Sequence, residues 1–534
     1  MVIKLALLAG AAVGGVLTGL GFAPFDWWWL TLVGTVVLTA LVQISQLVAP
    51  APRGLALTGL VGLGYGLGLA GTTLNWMSAI LVAAMVGMVV AVALFYAALA
   101  LAVRAVMALR AWPLLVPACW VLLEFAISRW PFGGFGWVRV GYAMVDSPLA
   151  GAYPLVGVAG ATYLAVLSGH LVWWAYGKHD WARLRRLARP SAGAKAVGEG
   201  VNAARRLVGW GCLLAVMVAA AGVGRLIAPA PAEGTIEAGW AQGGAPGGGV
   251  YGLGEARTIT KNETAQTLQL AQDVAAGKLP QPDFVVWPEN GTDLDPHADQ
   301  ATAQLVEQAV DAVGVPLFLG AIADGPGVDE RQTVSLWWEP GVGETARYAK
   351  RAIVPFGEWI PARDILLPLI PQLRYVGAQS VAGDQPGVLP VTLPDGRAVN
   401  LGVAVCYDVA FDDVVYDLTR YGGQVIVVQS SNAMYQGTIQ IEQQFAMTRV
   451  RAAELRRPIL VVTTSGISGL IDAFGNVQWR VADRASAHGV AQLGIHTGTT
   501  PAVWLAGWLE LVIAAAAAAA VGVAGGAWIR RRRG

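Results

Sequence analysis

The sequence predicts a multi-pass α-helical membrane bundle of about eight spans that carries a separate α/β domain towards its C-terminal end. Eight apolar stretches, near residues 5–22, 27–49, 54–75, 79–103, 111–128, 155–176, 207–229 and 502–529, each offer roughly the 20 residues needed to cross a ~30 Å hydrocarbon core. Between the seventh and the eighth, short β-branched runs alternate with helical patterns, the signature of a layered α/β domain. Charge divides along the same lines. The formal net charge of +1 conceals 29 acidic and 17 basic residues over 232–500, against 6 and 19 in the rest of the chain.

With 55% hydrophobic and 13% charged residues, where a soluble domain carries about 25% charged, the chain is not a wholly soluble protein. Its 21 Trp and abundant Ala, Val and Leu exclude disorder. The opening MVIKLALLAGAAVGG could serve as a signal peptide, but more membrane follows it, so it reads as a retained first span. The fifth span is the least regular, with Glu124 inside it. Glu124 and Glu510, carboxylates within spans, call for local hydrogen-bonded partners because a bare carboxylate in lipid is costly.

Orientation follows from the positive charges, which stay cytoplasmic in short loops. Arg53, then Arg104 and Arg110, then a stretch over 177–206 with eight Lys or Arg against two acids, and finally Arg530 to Arg533 all fall after even-numbered spans. The connections around 22–26 and 71–75 carry no positive charge. Both termini are therefore expected in the cytoplasm and the α/β domain outside. The basic stretch reads as a headgroup anchor; it lacks the aromatic interleaving of a nucleic-acid site, and no nucleic-acid partner is expected.

In the outer domain, FVVW (284–287), LFLGAI (317–322), NLGVAVC (400–406), QVIVVQ (424–429) and ILVVTT (459–464) read as buried strands. Helical patterns precede the first and second, and another lies between the last two. A segment of about 270 residues is large enough for its own core. Cys119, Cys212 and Cys406 are too scattered for a disulfide framework, and the five His form no ligand-like pair, so neither metal nor cofactor is expected.

Three apolar runs end in groups that could carry chemistry: WPEN with Glu289, AKRAIVPFGEWIP with Lys350 and Glu358, and GVAVCYD with Cys406. Residues just beyond strand ends point into the crevice where α/β folds bind ligands. A thiol with a free pKa of about 8.5 needs help to attack, and Glu289 could take its proton while Lys350 favours the thiolate and an oxyanion. Taken singly, each has a plainer reading. Cys406 could be a small buried hydrophobe, Lys350 a solvated strand-edge charge, and Glu289 a neighbour of a helix cap.

Together, in this order, the three resemble the Glu-Lys-Cys arrangement of the nitrilase, or carbon–nitrogen hydrolase, superfamily. Seven spans, a nitrilase-like domain and one closing span then resemble the apolipoprotein N-acyltransferase family. GFAPFDWWWL (21–30), GYAMVDSPLAGAYPLVGVAG (141–160), KRAIVPFGEWIP (350–361), CYDVAF (406–411), SNAMYQG (431–437), RVRAAELRRPIL (449–460) and TTSGISGLIDAFGNV (463–477) carry the likeness nearly end to end. Four features depart from the family: Asp408 where Glu is usual, Ala433 where Asp follows Ser-Asn, GFGW at 134–137 in place of GFPW, and a Gly-rich stretch over 241–254.

The resemblance implies a membrane domain over 1–230, an αββα nitrilase-like catalytic domain over 231–500, and a closing helix with basic tail over 501–534. It implies a monomer of the bacterial cytoplasmic membrane that needs no cofactor. It implies acyl transfer from a phospholipid, through a thioester on Cys406, to the N-terminal amine of a diacylglyceryl apolipoprotein. Glu289 would be the base, and Lys350 with the Tyr407 N–H the oxyanion holder. Glu358 would support the Lys, with Asp408 beside the nucleophile, and Phe356, Trp359 and Tyr435 are candidates for a lipid-touching aromatic rim. Two other readings are a membrane-anchored amidase using the same triad, and a non-catalytic scaffold that binds lipoproteins.

Overall fold

Inside hydrocarbon a backbone can satisfy its polar groups only within a helix or a closed barrel, and Leu-, Val-, Ala- and Gly-rich segments take the first course. The computed structural model of the chain describes residues 2–49, 53–188, 200–249 and 252–533. The basic stretch read over 177–206 lies partly outside them, as do residues 250 and 251 of the Gly-rich stretch. Two compact units emerge, Met1–Ile227 with Leu505–Gly534, and Ala228–Trp504.

The first unit contains α1 (Val2–Gly19), α2 (Trp28–Val48), α3 (Arg53–Thr73), α4 (Val82–Val106), α5 (Trp112–Ile127), α6 (Tyr153–Ala188, kinked at Gly157) and α7 (Gly200–Leu226), with most of a closing helix, Pro501–Arg533. Among the described residues seven helices are long and apolar enough to cross a membrane. The expected fifth span differs. α5 has 16 residues with Pro117 inside it, about 24 Å at 1.5 Å per residue, short of a ~30 Å core.

Glycines set the spacing of this bundle. A Cβ at Gly15 of α1 would lie 2.0 Å from the Tyr65 carbonyl oxygen of α3, and one at Gly62 of α3 would lie 2.3 Å from that of Tyr96 in α4. The backbones therefore touch where any side chain would part them. Thr18 and Tyr65 share a buried hydrogen bond at the first crossing.

Glu124 and Glu510, both buried, have the partners that their position demands. Glu124 accepts from the Val140 N–H at 2.7 Å and the Thr162 hydroxyl at 2.8 Å. The buried Arg139 lies between the two carboxylates, with Nε 3.7 Å from Glu124 and Nη2 3.2 Å from Glu510. Arg129 donates to the second Glu510 oxygen at 2.6 Å.

The second unit is an αββα sandwich. One sheet runs in the order β13 (Ala487–Ile495), β1 (Gly234–Gln242), β2 (Phe284–Val286), β3 (Leu317–Asp324), β4 (Glu330–Glu339), β5 (Gly343–Ala349), with β6 (Gln379–Ser380) beside β4. The other runs β12 (Val477–Arg480), β11 (Gly469–Ile471), β10 (Ile459–Thr463), β9 (Val425–Ser430), β8 (Ala398–Val405), β7 (Val388–Thr392). Side chains alternate along each strand. Phe284, Val286 and Phe318 meet Val403, Val427 and Leu460 between the sheets. Val285, Leu317 and Leu319 face outward onto Leu270 of α8 (Thr258–Ala275) and Val306 and Val310 of α9 (Gln300–Val313). After the short α10 (Arg363–Leu369), α11 (Asp412–Arg420) and the largely buried α12 (Ile439–Leu455) follow strands of the second sheet.

The five expected strands and three expected helices all form. The β4–β5 hairpin and the long β13, which closes the first sheet antiparallel to β1, were not read from the sequence. In β4 polar and apolar residues show no clean alternation, because Trp337 and Trp338 are buried on opposite faces.

Candidate active site

Strand direction assembles the site. β2 and β3 run parallel, β5 points the same way as β3 through the antiparallel β4, and β8, β9 and β10 are parallel to one another. Glu289 follows β2, Lys350 follows β5, Cys406 follows β8, and Ser431 follows β9, so each lies just past a carboxyl end.

Lys350, 1% exposed, is the hub. Its Nζ lies 2.9 Å from Glu289 Oε1 and 2.9 Å from Glu358 Oε1. The other Glu289 oxygen accepts from the Ser431 N–H at 2.9 Å, and the other Glu358 oxygen accepts from the Val354 N–H at 2.7 Å. Glu289 can approach because Gly320 beside it has no side chain: a Cβ there would lie 2.7 Å from the Glu289 Cα. Burial works to lower the Lys350 ammonium, but the charges of Glu289 and Glu358, helped by Cys406 and Asp408, overcome it and hold the group well above its ordinary value. Lys350 is a buried cation between carboxylates, not a solvated strand-edge charge.

Cys406 has φ +50°, in the left-handed region that residues with side chains rarely occupy, and it opens a tight turn over Cys406–Ala410. Asp408, fully buried, fixes that turn. It accepts from the Val405 N–H at 2.9 Å, the Ala352 N–H at 2.8 Å and the Tyr348 hydroxyl at 3.0 Å. One carboxylate thus ties the strand end carrying Cys406 to the strand end carrying Lys350. Burial raises the Asp408 carboxyl to about 6, against the pull of Lys350 and its backbone donors. The Cys406 thiol lies within electrostatic range of Glu289 and Lys350. Burial first, and then the charge of Glu289, push it above its usual value, with Lys350 opposing. At neutral pH the sulfur is a thiol with a carboxylate beside it.

The remaining sequence candidates fall at different distances from this centre. Tyr407 is buried, with its ring edge-on to Phe411 at 5.0 Å. Tyr435 lies within electrostatic range of Cys406, Glu358, Lys350 and Glu289, and burial pushes its phenol up. Phe356 is 40% exposed on the turn that holds Glu358, and Trp359 is half-buried there. Ser431, whose N–H binds Glu289, was within a quoted motif but not among the candidates. A backbone donor leaves no trace in residue type.

Residues 14–171 match the apolipoprotein N-acyltransferase N-terminal domain, and residues 249–492 match carbon–nitrogen hydrolase. An apolipoprotein N-acyltransferase of Mycolicibacterium smegmatis is 29% identical over 516 residues, 93% of this chain and 82% of the relative. One from Photobacterium profundum is 24% identical over 533 residues, 93% and 91% of the two chains. Among solved structures, an amidase of the nitrilase superfamily from Nesterenkonia AN1 is similar over 50% of this chain and 93% of its own, at 14% identity and a TM-score of 0.36.

Proposed function

Because the chain belongs to the apolipoprotein N-acyltransferase family, we propose that it is an N-acyltransferase that moves an acyl chain from a phospholipid to the N-terminal cysteine amine of a diacylglyceryl apolipoprotein. The observation that carries the reading is the convergence of Glu289, Lys350 and Glu358 on the Cys406 thiol, in a chain whose other unit is a multi-pass membrane bundle.

In the first half-reaction Glu289 takes the thiol proton while the Cys406 sulfur bonds to the sn-1 ester carbonyl carbon. A thiol with a raised pKa favours this concerted course over a preformed thiolate. Lys350 and the Tyr407 N–H hold the oxyanion. The ester C–O bond then breaks, the lysophospholipid oxygen takes the proton from Glu289, and a thioester remains. In the second half the acceptor amine attacks the thioester carbon and gives a proton to Glu289. The C–S bond breaks, and the sulfur recovers the proton as the amide is released. Glu358, sharing the Lys350 ammonium with Glu289, keeps Lys350 charged and aimed throughout.

Both substrates are lipid-bound, since each buried CH2 is worth about 0.8 kcal/mol. Phe356, Trp359 and Tyr435 form an aromatic rim that meets acyl chain, with the exposure of Phe356 and the nearness of Tyr435 to Cys406 in support. The distribution of positive charge supports a cytoplasmic-membrane topology with the catalytic unit outside and both termini inside.

Mass spectrometry of a lipoprotein N-terminus tests the reading in cells whose only N-acyltransferase is this chain. Wild type should give a triacylated cysteine, and Cys406→Ser only the diacylated form, a loss of at least about 10³-fold. Full N-acylation by Cys406→Ser would refute it.

A further inference from the structure

Glu289 is held by more than Lys350, and the additional contacts come from one tetrapeptide. Gln429, Ser430, Ser431 and Asn432 run off the end of β9, and all four are engaged around the segment that bears Glu289. The buried Gln429 reaches across the sandwich and donates to the carbonyls of Trp287 at 2.6 Å and Phe318 at 3.2 Å, which fixes the backbone two residues ahead of Glu289. The Ser430 carbonyl accepts from the Thr464 N–H at 3.1 Å. Its hydroxyl accepts from Gln444 Nε2 at 2.8 Å. The Ser431 N–H donates to Glu289 Oε2. Asn432, at φ +55°, donates to Gln440 Oε1 at 3.1 Å and Gln444 Oε1 at 2.7 Å, and Gln440 also donates to Gln444 Oε1 at 2.9 Å.

Gln444 is the anchor of this cluster. It grips Ser430 with its nitrogen and Asn432 with its oxygen, one residue on each side of the N–H that meets Glu289. Buried amides with their hydrogen bonds made are rigid, and a partly broken network is costly, so the angle of that N–H is set from α12. An N–H aimed at a carboxylate favours its charged form.

We propose that Gln444 is a positioning residue for the proton acceptor of the reaction: through Ser430 and Asn432 it holds the Ser431 N–H on Glu289 and so sets how readily Glu289 accepts the Cys406 proton. The inference rests on the function proposed above. The other charged or titratable groups facing Glu289 are Lys350 after β5, Cys406 after β8, and Glu358 and Tyr435 from their turns. None of them changes in the variants below.

The experiment uses the full-length protein in vesicles of phosphatidylethanolamine and phosphatidylglycerol with a tagged sn-1 chain. The rate of thioester formation on Cys406 is followed from pH 5 to 9, and alkylation of the Cys406 peptide by iodoacetamide is followed in parallel by mass spectrometry. Gln444→Leu should slow both at pH 6 by about tenfold, with the acid limb moved up by about half to one pH unit and much of the loss recovered at high pH. In a Glu289→Gln background the Gln444 substitution should change alkylation less than about twofold, because the two act through one group. An equal loss at every pH, or the same loss in both backgrounds, would overturn the proposal and leave Gln444 a packing residue. If Gln444→Leu does not fold, Gln444→Met answers the same question, since it keeps the side-chain length, adds no charge and loses the contacts to Ser430 and Asn432. Absence of a thioester in wild type would fail the phospholipid reading instead, and the alkylation profile would still decide the role of Gln444.

Discussion

Each unit of the molecule buries a cation between two carboxylates. In the membrane unit Arg139 lies between Glu124 and Glu510, and in the catalytic unit Lys350 lies between Glu289 and Glu358. The stoichiometry is the same and the chemistry is not. Arg139 carries a planar, permanently charged guanidinium. Around it the Val140 N–H, the Thr162 hydroxyl and Arg129 occupy carboxylate oxygens. Lys350 is a point charge, and its first carboxylate also lies within electrostatic range of a thiol. A buried triad becomes reactive when a nucleophile takes one of the positions that would otherwise close it.

That contrast can be broken first at the cations. Lys350→Arg should cut thioester formation by about 10³-fold, because a fork of donors cannot replace a point charge shared between two carboxylates and an oxyanion. Arg139→Lys should leave the rate per folded molecule within about threefold and act on stability instead. A Lys350→Arg enzyme with near-normal single-turnover rates would erase the distinction.

The next largest effect is on stability. Glu510→Gln leaves Arg139 with less compensation in a buried site, and a loss of about 2–4 kcal/mol is expected for such a broken pair. Thermal unfolding in detergent should show it, and surviving molecules should acylate at the normal rate. No change in unfolding would mean that Arg129 and Arg139 find other partners.

The smallest effect sharpens the catalytic side. The Asp408 carboxyl titrates near 6 in the folded unit, so its contribution to stability is fully present below about pH 4 and is lost as pH rises to about 6, by roughly 2–3 kcal/mol. Denaturant unfolding across that window should show the decline, and Asp408→Asn should flatten it at a lower overall stability. A decline unchanged in Asp408→Asn assigns it to another group.

Much of this was legible in residues. Unbroken apolar runs marked seven helices, and α5 fell short because Pro117 and its 16 residues do not make a full span. Glu289, Lys350, Glu358 and Cys406 stood out because each ends an apolar run with a reactive group. The rest was not legible because it is carried by backbone and amide groups. The Ser431 N–H meets a carboxylate 142 positions away, and Gln429 and Gln444 look like any polar residues until the two sheets face each other. Asp408 was seen only as a shortened acid, and its tie to Ala352, 56 positions earlier, needed the fold.

The pairing of Arg139 with Glu510 also sets a clock. The two residues are 371 positions apart in a single membrane unit, separated by the whole catalytic unit. At about 5–20 residues per second of synthesis, Arg139 precedes its carboxylate by roughly 20–75 seconds. During that interval Glu124 is the only one of its two carboxylate partners yet made, and the bundle is held by the glycine contacts of α1, α3 and α4. The helix Pro501–Arg533 supplies that second carboxylate, so a chain truncated before it should be marked for quality control by a buried arginine that lacks Glu510.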